Sequence, residues 1–157
     1  MNIPEFFADR WESEQPTFLR VFRALPADKL DYRPHERSSS AGDLAWQMVL
    51  EQALLSRLID SGQTEWQPRQ KPGTLDGIVA EWEKSSEELR KRLKGVDEKK
   101  YGSTASIMHN GKAVMSNTLG NILWSFFLDL IHHRGQMSTY IRPMGGKVPS
   151  IYGPSGD

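Results

Sequence analysis

The segment from Leu119 to Ile141 repeats apolar residues at helical spacing and carries a histidine inside the apolar face. At about 100° per residue, His133 falls within the apolar stripe, Asp129 at its margin one turn earlier, and His132 off it. Burying an imidazole and a carboxylate is costly unless they pair with each other or bind a metal. This turn is therefore the first place to look for function. The stripe comprises Leu119, Leu123, Phe126, Leu130, Met137 and Ile141.

Three further segments show amphipathic helical patterns, and together the four predict an all-α four-helix bundle formed by a single domain, residues 1–157. Pro16 lies inside the first helix and should kink or restart it. The loop after the second helix is long enough for a crossover connection. The predicted helices cover about Pro4 to Ala24, Ala41 to Asp60, Thr74 to Gly95 and Asn117 to Ile141.

Local signals mark where these elements begin and end. Ser40 and Asp43 form a capping-box pattern at the start of the second helix, and Gly62 sits just past its end. Residues 63–73 should form a polar loop. The Asn110-Gly111 dipeptide, between two short runs, predicts a short β-hairpin near residues 107–114.

The composition excludes several functional classes. Lys plus Arg and Asp plus Glu each number 20, so no basic bias points to nucleic acid. The chain has no cysteine, which excludes disulfides, thiolate zinc sites and cysteine catalysis. The sequence shows neither a signal-peptide pattern nor an apolar stretch long enough to span a bilayer, and it contains no phosphate-binding loop or GxSxG motif. We expect a cytoplasmic protein without a membrane or nucleic-acid partner.

Asp129 and His133 lie at positions i and i+4, so they share a helix face. A helix bundle can build a metal site from such a pair and a group on a facing helix. Gln47 is the natural third group, and Glu51 lies one turn after it on the same stripe. Imidazole and carboxylate suit zinc, nickel, iron or manganese.

The same residues also allow an interpretation without metal. Asp129 and His133 could hydrogen-bond each other in the core, and Glu51 could pair with an arginine such as Arg134 or Arg142. A lone DxxxH pair does not separate the two interpretations. His35 and His109, both beside turn-forming residues, are expected to be exposed.

Several strings in the chain resemble the DinB-like family. The resemblance runs from about Asp31 to the C-terminus and implies a four-helix bundle of the DinB/YfiT type, usually a homodimer. Typical members bind a divalent metal through three histidines. Of these positions His133 matches, whereas Asp129 and Gln47 stand where the family has histidine. The strings are Asp31-Tyr32-Arg33-Pro34-His35, Ala45-Trp46-Gln47, His132-His133-Arg134-Gly135-Gln136 and residues 142–157.

The resemblance implies a metal-dependent enzyme, with Gln47, Asp129 and His133 as metal ligands and Glu51 as a catalytic base. Because two of three histidines are replaced, metal binding should be weak or absent, with a preference for harder ions. Characterised relatives include thiol-dependent transferases, which suggests a thiol or another small-molecule substrate, and a hydrolase-like reaction is open too. The alternative is a non-catalytic dimeric bundle with a degenerate metal site, acting as a small-molecule-binding or interaction module.

Overall fold

Four long helices and one short helix make up most of the chain in the computed structural model, which describes residues 2–157. The second and third helices begin and end within a few residues of the predicted positions. Although Pro16 lies inside the first helix, that helix continues through it without a break. The helices are α1 (Ile3–Arg23), α2 (Ala41–Ser61), α3 (Leu75–Leu93), α4 (Glu98–Tyr101) and α5 (Leu119–Ile141), with a 3₁₀ turn at Ala27–Lys29.

Side-chain caps fix the starts of the long helices. Ser40 accepts a hydrogen bond from the Asp43 amide at the start of α2, and Thr74 accepts one from the Gly77 amide at the start of α3. Gly62, with a φ of 69°, ends α2 in the left-handed conformation. These predicted signals are confirmed, except that the Asp43 side chain does not complete the capping box; it pairs with Lys71 instead.

A three-stranded sheet adds to the helices, so the all-α expectation needs correction. Strands β2 (Thr104–His109) and β3 (Lys112–Thr118) form the predicted hairpin, longer than expected, and pair antiparallel. Asn110 and Gly111 have φ values of 49° and 73°, as a tight two-residue turn requires. Strand β1 (Gln63–Glu65) lies in the segment predicted to be a loop and pairs parallel with β2.

The apolar core lies between the long helices. Helix α2 packs against α3 and α5, and α1 packs against the same two helices. Trp82 of α3 sits between Phe18 and Phe22 of α1, with ring centroids 5.0 Å and 4.9 Å away. These tilted aromatic contacts bury large apolar area between α1 and α3.

Helix α5 buries most of the predicted stripe. Leu119, Leu123, Leu130, Met137 and Ile141 are all buried. Phe126 is only half-buried, and its neighbour Phe127 is buried instead. His132 is exposed, as its angle predicted. Across residues 2–157, none of the helices combines the length and the apolarity that a membrane span requires.

Candidate metal centre

Two pairs of polar side chains meet where α2 packs against α5. Gln47 and Glu51 are one turn apart on α2, and Asp129 and His133 are one turn apart on α5. Residues at i and i+4 share a helix face, so each pair projects in one direction. The structure thus brings together the three residues predicted to be ligands and adds Glu51 to them.

The distances within this cluster suit a small cation. His133 Nε2 lies 3.5 Å from Asp129 Oδ2 and 3.6 Å from Glu51 Oε1. One ligand atom from each of these three residues lies within 4.8 Å of the others. Ligand atoms on a tetrahedral ion, with bonds of about 2.1 Å, are about 3.4 Å apart. The cluster is therefore close to ligand spacing without rearrangement of the helices.

Glu51 is the most buried charged group of the cluster, with 2% of its surface exposed. Its Oε1 accepts a hydrogen bond of 3.0 Å from Gln47 Nε2. Within residues 2–157, no group hydrogen-bonds to its Oε2, although that atom is buried. A buried carboxylate oxygen without a partner is costly, and a cation at this position would compensate it.

The arginines proposed as partners of Glu51 lie elsewhere, so that interpretation is wrong. Arg134 pairs with Glu14 of α1, and Arg142 pairs with Asp157. Within residues 2–157, the Glu51 carboxylate is paired with no arginine; Gln47, Asp129 and His133 are the polar groups of the cluster beside it. Sequence reasoning assigned Glu51 as a base, whereas the structure places it in the same cluster as the candidate ligands.

His133 is oriented by a hydrogen bond on the side away from the cluster. Its Nδ1 lies 2.8 Å from the side-chain oxygen of Gln136, an acceptor, so Nδ1 carries a proton. In the neutral ring, Nε2 then has its lone pair directed at Gln47, Asp129 and Glu51. Metal-binding histidines are commonly held by a hydrogen bond of this kind. Sequence reasoning did not identify Gln136, although its position three residues after His133 was a signal.

The surrounding groups act on the protonation of His133 in opposite directions. The Glu51 carboxylate, 3.6 Å from Nε2, raises the pKa of His133 most. Burial lowers the pKa, but the hydrogen bond with Gln136 and the charges of Glu51 and Asp129 add to the rise and bring the pKa to about 9. However, Gln47 Nε2 donates to the lone pair of His133 Nε2 across 3.0 Å, which requires the unprotonated ring. Protonation of His133 therefore requires the Gln47 amide to turn over and present its oxygen.

The cluster is open to solvent on one side. The Asp129 side chain is 49% exposed, whereas those of Glu51 and His133 are 3% and 13% exposed. A small molecule could therefore approach the candidate ligands past Asp129. This combination of a buried acid, an oriented imidazole and an open side is typical of metal sites that leave a position for substrate.

Next to His133, Arg134 points the other way and is buried, which the sequence did not predict. Its guanidinium lies between the rings of Phe18 and Tyr152, at 4.6 Å and 5.1 Å from their centroids. It donates to Glu14 Oε2 and to the Tyr152 hydroxyl, each across 2.5 Å. The C-terminal segment is thereby connected to α1 and α5 behind the cluster. Although it contacts Arg134, Tyr152 is 71% exposed.

Comparison with known proteins gives a consistent match. The DinB family model matches residues 2–156. A DinB-like protein from Bacillus cereus superposes with a TM-score of 0.77 at 19% identity, covering 94% of this chain and 97% of that one. A DinB-like protein from Bacillus subtilis gives 0.71 at 18% identity, covering 88% and 92%. These similarities concern the fold. None of the curated proteins matches the sequence significantly.

Proposed function

The chain belongs to the DinB family, and we propose that it is a metal-dependent member whose four long helices form a bundle around a divalent cation site. Glu51, Asp129 and His133 hold the ion, and the Gln47 amide, once turned over so that its oxygen replaces its nitrogen in the cluster, adds a weak fourth ligand. One observation carries this proposal: Oε2 of the buried Glu51 lacks a hydrogen-bond partner, and the other oxygen of the same carboxylate lies 3.6 Å from Nε2 of the His133 imidazole. A divalent cation is the group that satisfies both.

The ligand types indicate which metal the site prefers. Two carboxylates and one imidazole supply two negative charges, which neutralise a divalent ion inside the protein. Oxygen-rich sites suit harder ions such as manganese or iron(II), whereas three imidazoles suit zinc and nickel. The replacement of two family histidines by Gln47 and Asp129 therefore shifts the site towards manganese or iron(II). It also weakens zinc binding.

The chemistry we propose is transfer or hydrolysis of a small molecule, with a thiol as one candidate substrate. A bound divalent cation lowers the pKa of a coordinated water or thiol and stabilises the anion. The protein supplies the rest. Gln136 orients His133, Glu51 supplies a negative charge on the buried inner side of the cluster, and the exposed Asp129 leaves the outer side accessible.

A second candidate function is a non-catalytic module that binds a small molecule or a protein partner. The observation that favours it is the Gln47 amide, whose nitrogen bridges Glu51 Oε1 and His133 Nε2 at 3.0 Å each. These two hydrogen bonds connect the cluster internally without an ion.

Under either function we propose a homodimer, supported by the exposed apolar side chains of Ile3 and Phe6 on α1. Light scattering distinguishes a dimer from a 17.9 kDa monomer.

Metal binding by matched variants separates the two candidates. Untagged protein is treated with chelator, and manganese and zinc are titrated into the wild type and into Glu51→Gln by calorimetry. Glu51→Gln removes a buried charge while keeping shape, so it should fold and lose metal binding. Asp43→Asn, an exposed acid two turns earlier on α2, should bind as the wild type does. Equal binding by wild type and Glu51→Gln, or no binding by the wild type, would overturn the metal site.

A further inference from the structure

A groove lies beside the candidate metal centre, where β3 passes the outer face of α5. It has a volume of about 450 Å³, within the roughly 300–1,000 Å³ usual for small-molecule sites. Met115 contributes from β3, and the α5 residues recur at helical spacing along one face. The lining residues are Met115, Ser125, Phe126, Leu128, Asp129 and His132.

Asp129 belongs both to the groove and to the metal centre. Asp129 is one of the lining residues of the groove, and its Oδ2 lies 3.5 Å from His133 Nε2. The Asp129 side chain is 49% exposed, so the residue shared by the groove and the centre is accessible from solvent. A molecule lying along the groove would therefore reach the candidate ligands with one end.

The walls of the groove define the chemistry of its ligand. Met115 and Leu128 are 39% and 58% exposed, so their apolar surfaces face a ligand directly. Asp129 is the only charged side chain among the lining residues, and none of them is a lysine or arginine. Along the groove an anionic arm would find no lysine or arginine to compensate its charge, and in the metal-free protein the Asp129 carboxylate would repel it. Apolar walls with few polar groups are typical of sites for uncharged organic molecules.

We propose that this groove binds the apolar arm of an uncharged small-molecule substrate, whose polar end reaches the metal centre at Asp129. The inference rests on the proposed function, because the substrate meets the ion there. It excludes substrates whose arm carries a carboxylate or phosphate. Ser125 and His132 supply the groups that would hydrogen-bond a hydroxyl or amide on the arm.

Binding of two probes of similar size but different charge tests the groove itself. Benzyl alcohol and benzoate are titrated separately into chelator-treated protein carrying ¹³C-labelled methionine and leucine methyl groups, followed by NMR. We expect saturable shifts of the Met115 and Leu128 methyl signals with benzyl alcohol and not with benzoate. Absence of saturable binding, or equal binding of both probes, would overturn the proposal.

Two variants locate the binding. Leu128→Glu places a carboxylate in the groove wall and should weaken benzyl alcohol binding by at least about tenfold, because a charge must be desolvated. Val114→Glu is the control. Val114 lies next to Met115 on β3 and is 64% exposed, but it does not line the groove. Equal losses in the two variants would overturn the assignment. Benzyl alcohol binding that weakens as protein concentration rises would do so too, because a second copy of the chain would then cover the groove.

Manganese distinguishes failure of this inference from failure of the metal site. Bound Mn²⁺ is first counted by electron paramagnetic resonance, which tests the site without the probe. With Mn²⁺ bound, the benzyl alcohol protons should relax faster in the wild type and in Val114→Glu, but not in Leu128→Glu. If Mn²⁺ binds and the relaxation of the benzyl alcohol protons in the wild type is unchanged, a molecule in the groove does not reach the metal centre and the inference fails. If Mn²⁺ does not bind, the proposed function fails, and the link between groove and centre fails with it.

Discussion

Nδ1 of His133 lies 2.8 Å from the side-chain oxygen of Gln136, one turn later on α5. This contact determines which ring nitrogen carries the proton of the neutral imidazole. The other nitrogen, Nε2, then faces Glu51 and Asp129 with its lone pair. The orientation needed for metal binding is thus present in the helix before any ion arrives.

We therefore expect Gln136→Met to weaken manganese binding by about 10–100-fold, the usual loss when a hydrogen bond to a ligand histidine is removed. Gln136 is exposed, so the substitution should leave the free energy of unfolding nearly unchanged. Thr139→Ala, exposed and one turn later, is the control. Calorimetric titration measures the affinities. An unchanged affinity in Gln136→Met would show that the imidazole is positioned by the core alone.

Most elements of the fold were predictable because their signals are local. Ser40, Gly62 and the Asn110-Gly111 turn act on their own backbone neighbours, so spacing in the sequence is sufficient to identify them. Strand β1 was missed because three residues are too few to show the alternation of apolar and polar side chains that marks a strand. Its pairing with β2 also depends on a segment about forty residues later in the chain. The apolar stripe of α5 was located correctly apart from the exchange of Phe126 for Phe127.

The candidate site was only partly predictable. Helical periodicity placed Gln47 and His133 on the apolar stripes of their helices and Asp129 at the margin of its stripe, and the structure brings the three together. Periodicity does not specify which polar group of one helix meets which group of another. For this reason the position of Glu51 was open, and the buried pairing of Arg134 with Glu14, 120 residues apart, could not be inferred.

The pH dependence of stability should reflect His133 in the metal-free protein. Its pKa is raised from 6.5 to about 9, and Glu51 makes the largest contribution to this rise. The stabilising effect of its charge is therefore fully present below pH 6.5 and is lost as the pH rises through about 9. NMR titration of the ring should give a pKa near 9. Glu51→Gln should lower it more than Asp129→Asn, and the reverse order would contradict the assigned cause.

Removing the acid that pairs with the buried Arg134 should destabilise the protein strongly. Arg134 is 1% exposed, so Glu14→Gln leaves a buried cation uncompensated, at a cost of about 3 kcal/mol. Arg23→Gln breaks an ion pair whose side chains are 61% and 48% exposed and should cost less than about 1 kcal/mol. Urea unfolding measures both. Comparable losses would mean that water reaches Arg134.

Two glycines of α5 should respond oppositely to alanine. A Cβ on Gly120 would lie 2.1 Å from Cε1 of Tyr101, so Gly120→Ala should destabilise the fold by about 1–3 kcal/mol. A Cβ on Gly135 meets nothing within 4 Å, and Gly135→Ala should stabilise the fold by about 0.5–1 kcal/mol through higher helix propensity. Thermal unfolding provides the comparison, and a stabilising Gly120→Ala would show that Tyr101 moves freely.

The last prediction concerns restoring imidazoles at the two positions where the family has histidine. Gln47 lies 3.0 Å and Asp129 lies 3.5 Å from His133 Nε2, so both substitutions place a new ring within reach of one ion. Three neutral nitrogens should bind zinc or nickel much more tightly than the present ligands. Because an ion that binds only the folded state stabilises it, a free metal concentration of 100 times Kd adds about 2.7 kcal/mol.

The combined variant Gln47→His/Asp129→His should therefore show a larger zinc-induced rise in melting temperature than the wild type. With manganese, the rise in melting temperature should be smaller in the variant than in the wild type, because Asp129→His removes one carboxylate ligand. A variant with Gln47→His and Asp76→His is the control, since Asp76 is exposed in the first turn of α3 and does not belong to the cluster. If wild type, control and combined variant all respond equally to zinc, positions 47, 129 and 133 do not share an ion. In that case the hydrogen-bonded cluster of Gln47, Glu51 and His133 is the functional state of this core.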